Sequence, residues 1–405
     1  MEAAMRETAL LAGYREIRTP VLEHTQLFTR AAGETSDVVR KEMYTFLDKG
    51  ERSLTLKPES TAAVVRAILE NGLYAQALPL KLYYVNAPHF RYEAPQSGRL
   101  REHHQFGLEC FGAAQATADA ELIALAMSLL TGFGLQKLMV RINSIGCSQC
   151  RPAYQRRLRD YLSRKEDKLC KNCLERIQTN PMRALDCKAD SCMAELRDAP
   201  EMLDSLCEGC RGHFEQLMAY LSAVPIRFAT DPRIVRGLDY YTKTVFEITT
   251  ETRGGILSVC GGGRYDGLVE ELGGPSMPAA GFGMGMERVL MLLDELREEG
   301  RRLAVQEEEP EVMVAYLNQK LASPAFLLVG KLRAAGIRAD MDHQGRSLKA
   351  QFKYADKQHA RYVAIIGDEE IARGTVRLRD MRTKEEWDAG LETSPQAIRL
   401  RMGQP

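Results

Sequence analysis

No apolar run in these 405 residues approaches the roughly 20 that a helix needs to cross a bilayer, which excludes a helical membrane protein. The N-terminus, MEAAMRETALLAGYREIRTP, lacks a basic stretch followed by an apolar segment. It does not read as a secretory signal, and the expected location is cytoplasmic. There is no G-x-x-x-x-G-K-[ST], so a nucleotide site, if present, is not a P-loop. Gly261-Gly262-Gly263 is not followed by G-x-G-x-x-G spacing and is no dinucleotide fingerprint; three glycines mark close backbone approach to a ligand or strand. Charge of neither sign is in excess: 55 Lys and Arg balance 55 Asp and Glu. Any nucleic-acid partner must therefore meet positive charge that is local. Arg151–Lys165 (RPAYQRRLRDYLSRK), with six basic residues and one acid, is one candidate; a solvated helix face accounts for it about as well.

What is present is a globular composition, 45% apolar and 27% charged, in a chain long enough for two or three domains. Residues 1–145 alternate strand-like and helix-like pieces, with a buried helix over 121–131 and a strand at Leu138–Ile142. From Gly146 to about 228 the texture becomes charged, helical and cysteine-rich. Sheet texture returns at Thr244–Thr249 and Ile256–Val259, followed by a glycine-rich loop and a helix to about Gly300. The acidic Glu307-Glu308-Glu309-Pro310 reads as a linker. Beyond it, strands at Glu311–Leu317, Ile337–Met341, Arg361–Ile366 and Thr375–Arg379 alternate with helices at Ala325–Ala335 and Ser347–His359. That alternation predicts a small α/β domain with a mixed sheet. The expected division is 1–145, 146–228, 229–305, a linker at 306–310, and 311–405.

The richest local signal is Phe90-Arg91-Tyr92-Glu93-Ala94-Pro95-Gln96-Ser97-Gly98-Arg99, lying between the apolar runs Leu80–Ala87 and Phe106–Phe111. It predicts a strand, a turn-rich loop and a returning strand that carry Arg91, Glu93 and Arg99. Two arginines on one hairpin suit a triphosphate, because a guanidinium offers phosphate a fixed fork of donors. An exposed charged hairpin is the plainer reading of the same residues.

This stretch, closed by Gln105-Phe106-Gly107-Leu108-Glu109, resembles motif 2 of the class II aminoacyl-tRNA synthetases in the form typical of bacterial histidyl-tRNA synthetases. Three more segments resemble that family in its order: Leu54–Thr61 (LTLKPEST), Arg236–Tyr241 (RGLDYY) with Gly261–Leu268 (GGGRYDGL), and Gly281–Leu290 (GFGMGMERVL). The resemblance covers most of the chain. It implies an α+β class II core, an antiparallel sheet flanked by helices, with a helical cysteine-rich insertion and a C-terminal α/β anticodon-binding domain. Gly345–Lys353 (GRSLKAQFK) fits the last of these. The implied activity is ATP-dependent attachment of histidine to tRNA(His) through a histidyl adenylate, by a homodimer. Arg91 would hold the α-phosphate of ATP, and Arg99 and Arg288 its β/γ end with magnesium ions. Glu93 would contact the adenine side, and His103 would stack on the ring. Arg236 would border the histidine and bring a second guanidinium to the α-phosphate. Glu59 and Thr61 would take the substrate's amino group. Glu109, Tyr241 and Tyr265 would read its ring nitrogens, and Gln105 would contact its carboxylate or ammonium. Ion pairs and satisfied core tyrosines are the structural alternatives for these residues.

The chain departs from the family at Lys57 and Ser60, where Arg and Gly are usual, at Ala94, where a basic or polar residue is usual, and at His103, where a larger aromatic is common. It also begins inside the family's first segment, with Gly13–Glu23 (GYREIRTPVLE) as the end of motif 1. That places the dimer interface and activity in question as an expectation. Eight of ten cysteines fall at Cys147-x2-Cys150, Cys170-x2-Cys173, Cys187-x4-Cys192 and Cys207-x2-Cys210. Paired CxxC spacing predicts closed, structural tetrathiolate zinc, in one site or two. Sequential pairs and a site joining the two ends of the insertion are both open. Cys110 and Cys260 lie in apolar segments and read as core. Against the synthetase reading stand a non-catalytic paralogue acting as a regulatory subunit in histidine biosynthesis, a class II enzyme for proline, threonine or glycine, and a zinc-dependent RNA-binding module. Four arginines and a full C-terminal domain argue against the first, RGLDYY and GGGRYDGL against the second, and the ATP motifs against the third.

Overall fold

The structure is a computed structural model that describes residues 1–33, 36, 38–95, 100–187, 189–252, 254–298 and 309–402. It forms two compact units, Met1–Leu303 and Ala304–Pro405. Arg99, with the loop residues Gln96–Gly98, and residues 306–308 of the expected linker lie outside the described residues.

The first unit is built on an eight-stranded sheet. Its spatial order is Arg15–Glu16, Leu80–Phe90, Glu102–Phe111, Ala279–Gly285, Gly255–Arg264, Thr242–Thr252, Met139–Ser144 and Phe228–Thr230. The middle of the sheet is antiparallel, and the outermost pair at each edge is parallel. Period-two alternation divides each strand between two environments. Phe106, Leu108, Ala280, Phe282, Met284, Phe246 and Ile248 enter a core with the helices Ala116–Gly132, Glu208–Ser222 and Met286–Glu298. The residues between them, Gln105, Gly107, Glu109, Gly281, Gly283 and Glu247, face the other way. This alternation positions the site: half of each strand is packing, and the other half is chemistry.

The expected hairpin is present and longer than its apolar runs. Leu80–Phe90 pairs with Glu102–Phe111 from Leu80↔Phe111 to Phe90↔Glu102. The glycine-rich loop expected after Val259 is instead strand: Gly255–Arg264 carries the triple glycine, paired with both neighbours. Glycine reads as a breaker in isolation, but here neighbouring groups occupy the space a side chain would fill. A Cβ on Gly261 would lie 2.6 Å from the Arg236 guanidinium, and one on Gly262 2.2 Å from the Gly281 carbonyl oxygen. Close approach to a strand, the other reading of the triplet, is what the structure has.

A three-stranded sheet, ordered Leu22–His24, Ser53–Leu56, Tyr44–Leu47, leads into the helix Thr61–Glu70, whose Ala62, Val64, Val65 and Ile68 are fully buried. Between Met139–Ser144 and Phe228–Thr230 run the helices Arg151–Ser163, Lys171–Thr179, Asp190–Glu195 and Glu208–Ser222. The last packs Phe214, Leu217 and Leu221 into the core of the large sheet.

The second unit is a five-stranded mixed sheet ordered Ala339–Met341, Val312–Tyr316, Tyr362–Ile366, Thr375–Asp380, Glu386–Gly390. The first three strands are parallel and the last two antiparallel. Helices Ala322–Ala334, Leu348–Lys357 and Ser394–Met402 belong to it. The strand Glu386–Gly390 and the helices Asp368–Arg373 and Ser394–Met402 were not expected. Their apolar content is too thin to announce them: Asp368–Arg373 buries nothing, and Glu386–Gly390 is only half-buried.

Candidate active site

Two adjoining cavities, of about 520 and 200 Å³, open on the non-core face of the large sheet and share Arg91, His103, Gln105, Arg236 and Glu247 in their walls. At one end Glu59, on the turn before the helix Thr61–Glu70, accepts the backbone N–H groups of Thr61 (2.6 Å) and Ala62 (2.9 Å). The Tyr240 hydroxyl adds a third donor at 3.4 Å. Burial pushes the Glu59 carboxyl up, against the pull of those N–H groups.

Glu109 lies beneath this end, 1% exposed. Its carboxylate accepts hydroxyl donors from Thr61 (2.9 Å), Tyr84 (3.4 Å) and Tyr265. Burial pushes its pKa up to about 8, and the nearby Glu59 charge adds to the shift. The close fit depends on Gly281, where a Cβ would overlap the Glu109 carboxylate and sit 2.7 Å from the Tyr265 hydroxyl. Tyr240, Tyr241 and Tyr265 form an aromatic wall, with ring centroids 4.8 Å apart for Tyr240–Tyr241, 5.6 Å for Tyr240–Tyr265 and 6.3 Å for Tyr241–Tyr265.

The other end is cationic. Arg91 follows the strand Leu80–Phe90 and pairs with Glu42 at 2.8 Å. Arg236 pairs with Glu247 at 2.5 Å and lies 5.8 Å from the Tyr241 ring centroid. Its buried Nε has no hydrogen-bond partner among the described residues. Arg288 donates to the Ser258 carbonyl at 2.5 Å and lines the smaller cavity with Glu247 and Glu287. Glu93 lines the larger cavity, and His103 and Gln105 line both. Burial, then the Arg91 charge, holds His103 down at about 4, so its ring is neutral near pH 7.

Every described residue expected at a substrate site is thus at or directly beneath these cavities. The structure adds four that the sequence reading missed: Tyr84, Tyr240, Glu42 and Glu247. Glu247 sits opposite Gly261 in register, and Tyr84 opposite Gly107. For Glu247, a charged residue set between the apolar Phe246 and Ile248 was the available signal. Two family departures also find partners. Lys57, 1% exposed, donates to Thr19 Oγ1 at 3.1 Å, and burial lowers its pKa. The Ser60 hydroxyl lies 2.8 Å from Nε2 of the fully buried His89.

The eight clustered cysteines gather as two sets, Cys147, Cys150, Cys207, Cys210 and Cys170, Cys173, Cys187, Cys192, each with all its sulfurs within 4.8 Å of one another. Either set could hold a metal ion. Of the two arrangements left open, the one joining the ends of the insertion is found. Cys110 and Cys260 are buried in the sheet core, as expected.

Comparison with known proteins bears on the whole chain. The family described as histidyl-tRNA synthetase matches residues 1–289, and the family described as anticodon binding domain matches residues 311–400. The chain belongs to the histidyl-tRNA synthetase family. It is 51% identical to the histidine–tRNA ligase of Caldanaerobacter subterraneus subsp. tengcongensis over 98% of this chain and 94% of that protein. It is 52% identical to that of Alkaliphilus oremlandii over 97% and 92%. The crystal structure of apo S. aureus histidyl-tRNA synthetase superposes with a TM-score of 0.80 at 37% identity, covering 98% of this chain and 94% of that one. The histidyl-tRNA synthetase fold, a class II catalytic sheet with helices and a C-terminal anticodon-binding domain, is therefore the fold of this chain. Among the described residues no helix is long and apolar enough to cross a membrane.

Proposed function

We propose that this chain is a histidine–tRNA ligase, which activates L-histidine with ATP and transfers it to tRNA(His). The observation that supports this most is the polarity of the site, two carboxyl groups, half-buried Glu59 and buried Glu109, at one end and three guanidiniums at the other. Glu59 and Thr61 would receive the substrate ammonium. Glu109, backed by Tyr265 and Tyr84, and Tyr241 would pair with the imidazole nitrogens, and Gln105 would contact the substrate's carboxylate or ammonium. A site that pairs both ring nitrogens rejects amino acids lacking them, because its own buried groups would be left without partners.

In the first step the histidine carboxylate attacks the α-phosphorus of ATP, the bond to the β-phosphate oxygen breaks, and pyrophosphate leaves. No covalent bond to the protein forms, so the chain's contribution is positioning and charge stabilisation. Arg91 and Arg236 would hold the α-phosphate, and Arg99 and Arg288 the β/γ end. Glu93 and His103 would border adenine. Magnesium bound with ATP would screen the phosphate charge, and Glu247 and Glu287, which line the smaller cavity, would be the carboxylates to face it. In the second step a ribose hydroxyl of the tRNA's terminal adenosine attacks the adenylate's acyl carbon and AMP leaves. The C-terminal unit would meet the anticodon, and the insertion would lie against the acceptor arm. The cysteine sets would carry structural zinc, and the working enzyme would be a cytoplasmic homodimer.

Histidine-dependent exchange of pyrophosphate into ATP tests this, with proline, threonine and glycine as controls. Exchange with histidine alone is expected. No exchange with any of the four from the folded chain would favour a regulatory paralogue instead.

A further inference from the structure

The insertion leaves the sheet after Met139–Ser144 and returns at Phe228–Thr230, and these two strands are parallel neighbours. Parallel strands put the exit and the return at opposite ends of the pair, and the helix Glu208–Ser222 spans the difference, so the CxxC at its N-terminus, Cys207 and Cys210, meets the outgoing Cys147 and Cys150. Sulfur separations in this neck set are 3.7 Å for Cys147–Cys150, 3.8 Å for Cys147–Cys207 and 3.9 Å for Cys150–Cys210. In the outer set Cys170 and Cys187 are 3.8 Å apart. A disulfide needs about 2.05 Å. Four sulfurs at about 2.3 Å from a tetrahedral zinc are about 3.8 Å apart along each edge. The sulfurs are thus spaced as ligands, not as disulfide partners.

The surroundings fit thiolate ligands. Cys150, Cys170 and Cys207 sit at the N-caps of the helices Arg151–Ser163, Lys171–Thr179 and Glu208–Ser222, where the positive helix end favours negative sulfur. Backbone N–H groups of Cys147 and Cys170 donate to Cys150 Sγ and Cys192 Sγ, both at 3.2 Å. Gly146, φ +68°, makes the turn into the neck, where a Cβ would stand 2.7 Å from Cys150 Sγ.

The neck also touches the wall of the substrate site. Lys243 donates its N–H to Gly146 and accepts that of Ile145, both at 2.8 Å. Arg151, adjacent to Cys150, donates to the carbonyls of Ile145 (3.3 Å), Gly146 (3.3 Å) and Tyr241 (2.5 Å). One half-buried guanidinium thus ties the cysteine turn to the backbone of Tyr241, whose ring faces Arg236 and Tyr265.

We infer that zinc in the neck set positions the histidine-recognition wall through Arg151, so that metal occupancy sets affinity for histidine. This rests on the proposed ligase function and adds a metal-dependent control of the same site. Four metal–sulfur bonds close the turn, the closed turn aims Arg151, and Arg151 fixes Tyr241. Arg151 is a positioning residue here, not a catalytic one.

The test uses the full chain. Elemental analysis of the purified protein should give two zinc ions per chain, and the double variant Cys147→Ser/Cys207→Ser should give one. In that variant the KM for histidine in pyrophosphate exchange should rise at least tenfold, with the KM for ATP within twofold, and calorimetric titration should show the same loss of histidine affinity. Arg151→Met separates the tie from the metal: it should keep two zinc ions and still raise the histidine KM. A chain purified without metal under reducing, chelator-free conditions overturns the inference. So does loss of the neck zinc with unchanged histidine affinity, or an unchanged KM in Arg151→Met. Wild-type exchange decides the function separately: without it the ligase reading and the coupling fall together, while the zinc count stands.

Discussion

The two ends of the site solve opposite electrostatic problems. At the proposed histidine end, carboxyl groups are held by neutral donors: half-buried Glu59 by two backbone N–H groups, buried Glu109 by three hydroxyls. At the proposed ATP end, cations are partly exposed and held by anions or carbonyls: Arg91 by Glu42, Arg236 by Glu247, Arg288 by the Ser258 carbonyl. The first arrangement is set before substrate arrives, since hydroxyls can turn to share a carboxylate with an incoming N–H. The second would change in the proposed reaction, because each guanidinium would turn from a protein acceptor toward phosphate. Under the proposed function, specificity would rest on carboxyl groups already held by neutral donors, and charge stabilisation on pairs that exchange partners.

Truncating a cation should therefore damage the chemical step, and truncating an anion should damage binding. Arg236→Ala removes a donor that meets charge as it develops, and mutational precedent for such donors is a loss of about 10²–10³-fold in rate. The expected result in pyrophosphate exchange is a kcat loss of that order with histidine affinity by titration changed far less. An unaltered kcat would remove Arg236 from the chemistry. Glu59→Ala should show the converse, a histidine KM raised by roughly 10–100-fold, as expected for about 1.5–3 kcal/mol from a charged hydrogen bond, and a smaller change in kcat.

Glu109 sharpens the contrast through pH. Its folded pKa of about 8 lies above the ordinary carboxyl value of 4.5. The folded chain therefore keeps a proton that the unfolded chain releases between those values, and stability falls as pH rises through that window. Glu109→Gln has no such proton, so its melting temperature relative to wild type should improve between pH 5 and 8.5. The change should be worth at most a few kcal/mol, at about 1.4 kcal/mol per unit. A constant difference across that range would mean that Glu109 does not titrate there.

Much of this was legible in the sequence because the site is carried on strands whose alternation can be counted. Gln105 and Glu109 share a parity that Phe106 and Leu108 do not, and the structure keeps that division. Glu42 and Tyr240 could not be found this way. Glu42 comes from an irregular five-residue turn with no periodicity, and Tyr240 lies between Asp239 and Tyr241 with nothing local to say which tyrosine meets Glu59. The triple glycine was legible as close approach but not as strand, since what fills the missing side chains, Arg236 and Gly281, comes from elsewhere in the chain. Cysteine pairing was likewise hidden. Four short Cys motifs look alike in one dimension, and only the crossover helix Glu208–Ser222, which returns the chain to the parallel strand Phe228–Thr230, brings the last to the first.

The smallest expected effect concerns His103, which lies between the two ends and belongs to neither scheme. It lines both cavities, its ring centroid is 5.5 Å from that of His89, and its pKa of about 4 leaves it neutral at working pH. A neutral imidazole gives adenine a stacking face but a small one, and stacking on an aromatic side chain is worth about 1–3 kcal/mol per base. His103→Phe keeps the neutral charge, enlarges the face and removes both polar ring nitrogens. It should lower the KM for ATP by about twofold and leave the histidine KM unchanged, with no new pH dependence between 6 and 8. A KM for ATP raised several-fold would show that the ring's nitrogens, not its face, are what the nucleotide meets. His103 would then join the polar residues that orient the nucleotide at the cationic end.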